Sequence, residues 1–110
     1  MAVLTVQQAV LAGLNPSYGA AGAGGDSFSN DGHTVIHVKN GDSSAHAVTV
    51  ASQAPARAGY SPANNVVSVP ASGERIIGPF PPEAFSDANG AAQVTYAAVT
   101  SMTVAAIRIG

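Results

Sequence analysis

Three histidines are the most obvious metal-ligating side chains in this chain of 110 residues. His33 and His37 stand four positions apart in a segment with strand character, so their side chains project from the same face. If the chain turns back after Asn40, His46 lies across a hairpin from His37, within the ~5 Å that separates cross-strand neighbours. Three imidazoles can hold zinc with one position open. No carboxylate is obviously placed to orient them, so we favour their interpretation as polar residues on a solvent-facing hairpin, and we expect no bound metal.

Three aspartates offer oxygen ligands of the kind that calcium prefers. Asp26, Asp31 and Asp42 all lie in segments rich in Gly, Ser and Asn. The spacing of residues 26–32 (DSFSNDG) is not that of an EF-hand loop. Aspartate in turns usually accepts hydrogen bonds from its own backbone. We therefore predict that these residues shape turns, and that the protein needs no cofactor.

The sequence contains no grouping of residues that is typical of a catalytic site. Catalysis by a nucleophile needs an adjacent base, and acid–base catalysis needs a positioned pair of titratable groups. Glu74, Glu83 and Asp87 are isolated, there is no cysteine, and no G-x-S-x-G motif occurs. The glycine-rich residues 19–25 lack the lysine of a phosphate-binding loop. We predict that the protein is not an enzyme.

The elements that must position these residues are strands. From His33 onward, short runs with period-2 alternation are separated by turn residues every 8–12 positions or so, which is typical of a sandwich or small barrel. The sequence predicts an all-β fold: a single-domain antiparallel β-sandwich, jelly-roll-like or a small barrel, over residues 33–110. Residues 1–32 are predicted to be an irregular N-terminal arm with a flexible Gly/Ala-rich segment. The predicted strands are residues 33–39, 45–52, 65–69, 74–78, 91–97 and 103–109.

Alternation also predicts which strands pair and which side chains face inward. Residues 65–69 and 74–78 are expected to pair with each other across the turn at residues 70–73. In the last strand the pattern places Ala105, Ile107 and Ile109 inward, with the charged residue between the two isoleucines outward.

The arm contains one apolar stripe. Residues 4–14 (LTVQQAVLAGL) fit a short helix with Val6, Val10 and Leu14 on one face, or an extended segment that becomes ordered by contact. Two turns of helix are marginal without a docking surface. We favour the extended segment, and we predict that these three residues contact a partner.

Two further regions are candidate contacts. Phe80 and Phe85 flank a proline-rich turn, where they either plug one end of the sandwich or present an apolar knob to a partner. Proline fixes such a turn before binding and so lowers the ordering cost of association. The loop of residues 53–64 carries Tyr60, the best aromatic platform in the chain. We include Phe80, Phe85 and Tyr60 among the predicted partner contacts.

Charge is scarce throughout the chain. Only 9% of residues are charged, against roughly 25% in ordinary domains. A surface this neutral favours association with other protein surfaces. The four basic residues are scattered and the net charge is -2, which argues against nucleic acid. Residues 88–107 are uncharged but alternate with Thr, Gln and Ser, which indicates two strands rather than a membrane span.

Several stretches of the chain resemble a family of small proteins that decorate or cement the heads of tailed bacteriophages and prophages. Together they cover most of the chain, although turns of the V-P-A-G type recur in many virion β-domains. The matching stretches are residues 5–8 (TVQQ), 12–16 (AGLNP), 28–32 (FSNDG), 37–41 (HVKNG), 67–75 (VSVPASGER), 77–81 (IGPFP), 85–87 (FSD) and 103–107 (TVAAI).

The resemblance implies a β-sandwich that binds the outside of a shell made by the major capsid protein. Such proteins often sit as trimers at threefold points or as dimers across twofolds, so we expect a homo-oligomer, with a trimer favoured and a dimer also allowed. The expected location is the outer surface of the virion capsid, after synthesis in the host cytoplasm.

Two other classes of function fit the same sequence. A small β-module that binds a ligand, for instance a glycan, would need exposed aromatic platforms, and Tyr60 is the one good candidate. A structural subunit of the head–tail joint or of the tail would share the neutral, β-rich character of a cement protein.

Overall fold

Two β-sheets packed face to face make up the protein. The computed structural model describes residues 2–53 and 63–109, and the predicted all-β sandwich is confirmed in them. The elements in these residues are β1 Ala2–Val3, β2 Val6–Gln8, β3 Gly19–Ala20, β4 Asp26–Ser29, β5 Thr34–Asn40, β6 His46–Val50, β7 Asn65–Val69, β8 Glu74–Ile77, α1 Pro82–Phe85, β9 Ala91–Tyr96 and β10 Met102–Arg108.

The two sheets share the strands almost equally. Sheet A has the order β1-β4-β9-β6-β7, and sheet B has the order β2-β10-β5-β8, with β3 also paired to β10. Most neighbours are antiparallel, whereas β1 runs parallel to β4 and β2 runs parallel to β10. The N-terminal arm therefore adds a strand to each sheet and spans one side of the sandwich.

The core lies between the inner faces of the sheets. Period-2 alternation places Ile36 and Val38 of sheet B against Val48, Val50 and Val94 of sheet A, and all five side chains are fully buried. Burying a side chain of this size contributes about 1.5–3 kcal/mol. The strands form because their apolar positions repeat with the period of the pleat.

The irregular N-terminal arm is shorter than predicted, because the sandwich begins before residue 33. β4 pairs with β9 along four positions, and its Phe28 is fully buried in the core. The glycine-rich tract ends in a turn in which Gly25 N–H donates to the carbonyl of Gly22. This turn delivers the chain into β4, so the predicted boundary after residue 32 does not separate the arm from the sandwich.

The predicted hairpins are wrong, because consecutive strands cross from one sheet to the other. β5 lies in sheet B and β6 in sheet A, while β7 lies in sheet A and β8 in sheet B. Asn40 explains why both crossings are stable. Its side-chain amide is buried and donates to the carbonyls of Ser44, Val69 and Pro70. One amide thus ties together the two corners of the sandwich, at residues 41–45 and 70–73.

The predicted inner face of the last strand is also wrong. Met102, Val104 and Ala106 of β10 face the core, whereas Ile109 is exposed beyond the strand. Ala105 is buried on the outer face of the sheet, opposite His37, and Ile107 lies opposite Val35. The arm covers the outer face of β10, so apolar residues occur on both faces of this strand. Alternation of apolar and polar residues therefore could not show which face of β10 packs against the core.

The proline-rich segment lies outside both sheets, as its missing backbone donors require. It forms the single helical turn α1, which begins at Pro82. In residues 2–53 and 63–109, no helix is long and apolar enough to cross a membrane.

Candidate interaction surface

The arm is held on sheet B at two places. β2 pairs with β10, and the N–H of Ala9 extends this pairing by donating to the carbonyl of Arg108. The side-chain amide of Gln7 then makes two hydrogen bonds to the backbone of Ser17, as donor to its carbonyl and as acceptor from its N–H, both at 2.8 Å. Residues 9–16 therefore form a loop whose two ends are fixed to each other.

Tyr18 fixes the far end of this loop on the outer face of sheet B. Its hydroxyl lies 2.7 Å from Nδ1 of His37, and the Nζ atom of Lys39 lies 4.1 Å from its ring centroid. Glu74 Oε1 is 3.2 Å from Nε2 of the same histidine. The carboxylate favours the tautomer with a proton on Nε2, which leaves Nδ1 free to accept from the tyrosine hydroxyl. Aromatic packing, a cation–π contact and two hydrogen bonds thus combine at one point.

The tip of the loop is a tight turn that presents apolar side chains to solvent. Gly13 N–H donates to the carbonyl of Val10 at 3.0 Å, and Gly13 has φ +96°, a conformation that glycine adopts without strain. Leu11, inside this turn, is fully exposed, and Val10 and Ile109 are more than half exposed. Since β2 and β10 run in parallel, residues 10 and 11 leave sheet B at the same end as Ile109. We call Val10, Leu11 and Ile109 the apical patch.

The structure separates the three arm residues that the sequence placed on one stripe. Val6 is part of β2 and packs against the core, Val10 belongs to the apical patch, and Leu14 is partly buried beyond the turn. The segment is extended rather than helical. Of the three predicted contacts, Val10 is therefore the one that is freely available to a partner.

Phe80 is not available to a partner. It is 2% exposed, and its ring centroid lies 5.8 Å from that of Phe28 and 5.5 Å from that of Phe85. Phe85 is partly buried against the same cluster. The two aromatic residues plug one end of the sandwich, and the prediction that Phe80 contacts a partner is wrong. Tyr60 and residues 54–62 of the predicted contact loop lie outside the described residues.

The three histidines are not brought together. His37 faces Tyr18 and Glu74, and Nε2 of His46 lies 2.9 Å from Asp42 in the corner between β5 and β6. His33 is exposed just before β5. The hairpin that would have placed His46 opposite His37 does not form. Within the described ranges there is no cluster of three or more His, Asp or Glu residues that could hold a metal.

The three aspartates with oxygen ligands of the kind that calcium prefers are also apart, and each is bonded within the chain. Asp31 accepts from the N–H of His33 and pairs with Arg108 at 2.7 Å, and Asp42 pairs with His46. The backbone hydrogen bond from His33, followed by the charge of Arg108, lowers the pKa of Asp31. These carboxylates stabilise turns and corners, as the sequence predicted.

Asp26 is the exception, because it is fully buried at the end of the core. Its Oδ2 accepts from the hydroxyl of Tyr96 at 2.8 Å and from the N–H of Gly22 at 3.0 Å, and its Oδ1 has no partner among the described residues. A Cβ atom on Gly22 would lie 2.7 Å from Oδ1, so a side chain at this position would displace the Asp26 carboxylate. The pair Asp26–Tyr96 ties β4 to β9 where sheet A ends.

This pair predicts a loss of stability at alkaline pH. Burial, and secondarily the hydrogen bond and charge of Asp26, raise the pKa of Tyr96 above its ordinary value of 10.0. A raised pKa means that the folded state favours the neutral phenol. The stability that Tyr96 contributes to the fold is therefore complete below pH 10 and is lost as pH rises above it. We expect Tyr96→Phe to lose less stability than the wild type between neutral pH and pH above 10, as measured by urea unfolding. Equal losses in both proteins would contradict this assignment.

A cleft of about 500 Å³ opens under the arm, where β2 and β3 leave a gap along the edge of β10. Its lining includes Val3, Leu4, Gln7, Tyr18 and Ala105. Among the described residues, no carboxylate, imidazole or amine lines it, so the cleft is suited to an apolar group rather than to acid–base chemistry.

Sequence reasoning missed the residues that define this surface. Leu11 was overlooked because a helical stripe through Val6 and Val10 excludes it, and Tyr18 was overlooked because nothing local indicates that it reaches β5. The run of uncharged residues 9–16 (AVLAGLNP) with glycine at its centre is a turn signal that could have identified the tip.

Comparison with known proteins adds no relative: no family model, no curated protein and no solved structure matches the chain.

Proposed function

We propose that this protein is a structural subunit of a bacteriophage virion that binds the outer surface of the capsid shell and stabilises it. In this role it is a cement or decoration protein without catalytic activity, and its main partner is the major capsid protein. The observation that carries the proposal is the apical patch, an apolar tip held on a rigid sandwich by the Gln7 and Tyr18 contacts.

The physical character of the patch supports docking on another protein. Exposed aliphatic side chains gain free energy when a partner removes them from water, at roughly 25 cal/mol per Å². The loop that presents them is uncharged from residue 9 to residue 16, so burying it leaves no unpaired charge. Because both ends of the loop are already fixed, little conformational entropy is lost on binding.

The scarcity of charge elsewhere supports the same role. A capsid offers many equivalent sites, and linked copies on a lattice bind more tightly than one copy does, through effective concentration. A modest patch of three aliphatic residues is sufficient under these conditions, whereas it would give a free monomer only weak affinity. The proposed homo-oligomer would provide this linkage.

Cosedimentation with purified phage particles tests the proposal. We expect the protein to pellet with heads that lack tails and not with isolated tails. Binding to tails alone would replace the proposal with that of a tail subunit. Binding to a glycan array, without any association with heads, would replace it with that of a carbohydrate-binding module.

A further inference from the structure

β7 and β8, which lie at the edges of the two sheets, differ in how they are protected against pairing with another chain. β7 is the last strand of sheet A and β8 is the last strand of sheet B. An unprotected outer strand offers its free N–H and C=O groups to another chain, and charged residues usually prevent this. β8 carries Glu74 and Arg75, whereas β7 (NVVSV) carries no charge and no proline. Of these two strands, β7 is the one without such protection among the described residues.

The hydrogen-bond pattern identifies the free groups on β7. Ala97 N–H donates to the carbonyl of Ala47, and Ala51 N–H donates to the carbonyl of Gln93. The backbone groups of Ala47 and Ala51, on the β6 segment, therefore face β9. Backbone groups alternate in direction along a strand, so His46, Val48 and Val50 face β7 instead. Their partners in the register are Val69, Val67 and Asn65.

Val66 and Ser68 must therefore direct their N–H and C=O groups away from sheet A. Among the described residues, no backbone hydrogen bond to either residue is found on that side. The side chain of Val66 is also 61% exposed, which is unusual for a valine in a strand that adjoins the core. Within residues 2–53 and 63–109, the outward backbone groups of β7 and the side chain of Val66 are thus both without a covering segment.

We propose that β7 pairs with β7 of a second copy of this chain, antiparallel and about a twofold axis through Val67. In this register Val66 of each copy lies opposite Ser68 of the other, and each such pair exchanges both of its N–H···O bonds. No charge opposes a like charge across the pairing. Sheet A then continues from one copy into the other.

The second copy fits this strand better than an unrelated partner does, because the pairing is self-complementary and closes on itself. The twofold uses both β7 strands, and the opposite edge of sheet A is β1, which has only two residues. In sheet B the last strand, β8, carries the charged residues Glu74 and Arg75, which oppose the same kind of pairing. The assembly therefore stops at a dimer, rather than at the trimer that the family resemblance favours.

The pairing is testable by analytical ultracentrifugation of the full chain over a wide concentration range. We expect a reversible monomer–dimer equilibrium. Ser68→Pro removes one outward N–H donor and leaves the hydrogen bonds between β7 and β6 in place. Because the pair is symmetric, each substitution acts at two positions, so we expect dimerisation to weaken at least about tenfold. Ser68→Thr, which keeps the donor, should dimerise like the wild type. A wild type that stays monomeric at every concentration, or a Ser68→Pro variant that dimerises equally well, would overturn the proposal.

Oxidative cross-linking provides a second readout that is independent of whether Ser68→Pro folds. The chain contains no cysteine, so a single introduced thiol reports on one position. Val67→Cys should form a covalent dimer under mild oxidation, because the two residues at the twofold face each other at about 4.5–5.5 Å between Cβ atoms. Ile76→Cys, at a more exposed position on the protected strand β8, should not. Equal cross-linking of both variants would also overturn the pairing, and neither result depends on capsid binding.

Discussion

Leu11→Asp is expected to reduce binding to phage heads by about 30-fold or more, which corresponds to about 2 kcal/mol of binding free energy. Leu11 is fully exposed at the tip of the arm, so the change leaves the fold intact. In the bound state, however, it would place an unpaired carboxylate in an apolar contact, which costs more than the loss of the leucine alone. Cosedimentation of labelled protein at increasing concentration measures the effect.

Ile76→Asp is the matched control for this substitution. Ile76 is also a largely exposed aliphatic residue of sheet B, but it lies on β8, at the opposite edge of the sheet from β2. The control has the same added charge and should bind heads like the wild type. If both variants lose binding equally, net charge rather than the apical patch governs the interaction.

Phe28→Ala is expected to lower the free energy of unfolding by about 3–5 kcal/mol, the usual cost of removing a fully buried aromatic side chain. The cavity would open between β4 and the ring of Phe80, which is itself held by Phe85. The cluster joins β4 to the proline-rich turn, so the loss would affect both. Guanidinium unfolding, followed by the far-ultraviolet signal of the strands, measures the change.

Phe85→Ala, at a partly buried position in the same cluster, should cost clearly less. Both variants remove one aromatic ring, so a difference between their losses of stability reports on burial rather than on aromatic content. A loss below about 1 kcal/mol for Phe28→Ala would mean that β4 is not part of the core. The conclusion that the sandwich begins before residue 33 would then be wrong.

Local pattern was sufficient to predict the six strands from β5 onward, but not the four short strands before them or the partners of any strand. Alternation located β5, β6, β7, β8, β9 and β10 within a few residues, because one face of each strand is buried. Pairing depends instead on contacts between distant residues. The crossing between sheets is fixed by the buried amide of Asn40, and a single asparagine before a glycine reads as an ordinary hairpin turn.

β4 shows why the domain boundary was misplaced. Its four residues (DSFS) follow a glycine-rich tract and contain one large apolar residue, so no periodicity stands out. The strand is stable because Phe28 reaches the core and because Asp26 finds the hydroxyl of Tyr96, seventy positions away. Neither contact has a local signal.

The candidate surface was only half predictable, for the same reason. The uncharged composition and the apolar arm pointed to the region of the chain that carries the apical patch. The helical stripe nevertheless selected Val6 and Leu14, which the fold buries in part, and passed over Leu11. Which side of an extended segment faces water is decided by the strand that it joins, here β10.

The most direct test of the central claim is the number of copies that purified phage heads take up at saturation. A cement protein should saturate at a number that rises in proportion to the capsid subunits, and Leu11→Asp should shift the concentration needed to reach it. The absence of any uptake, or uptake limited to the few copies of a neck ring, would contradict the assignment to the outer capsid surface.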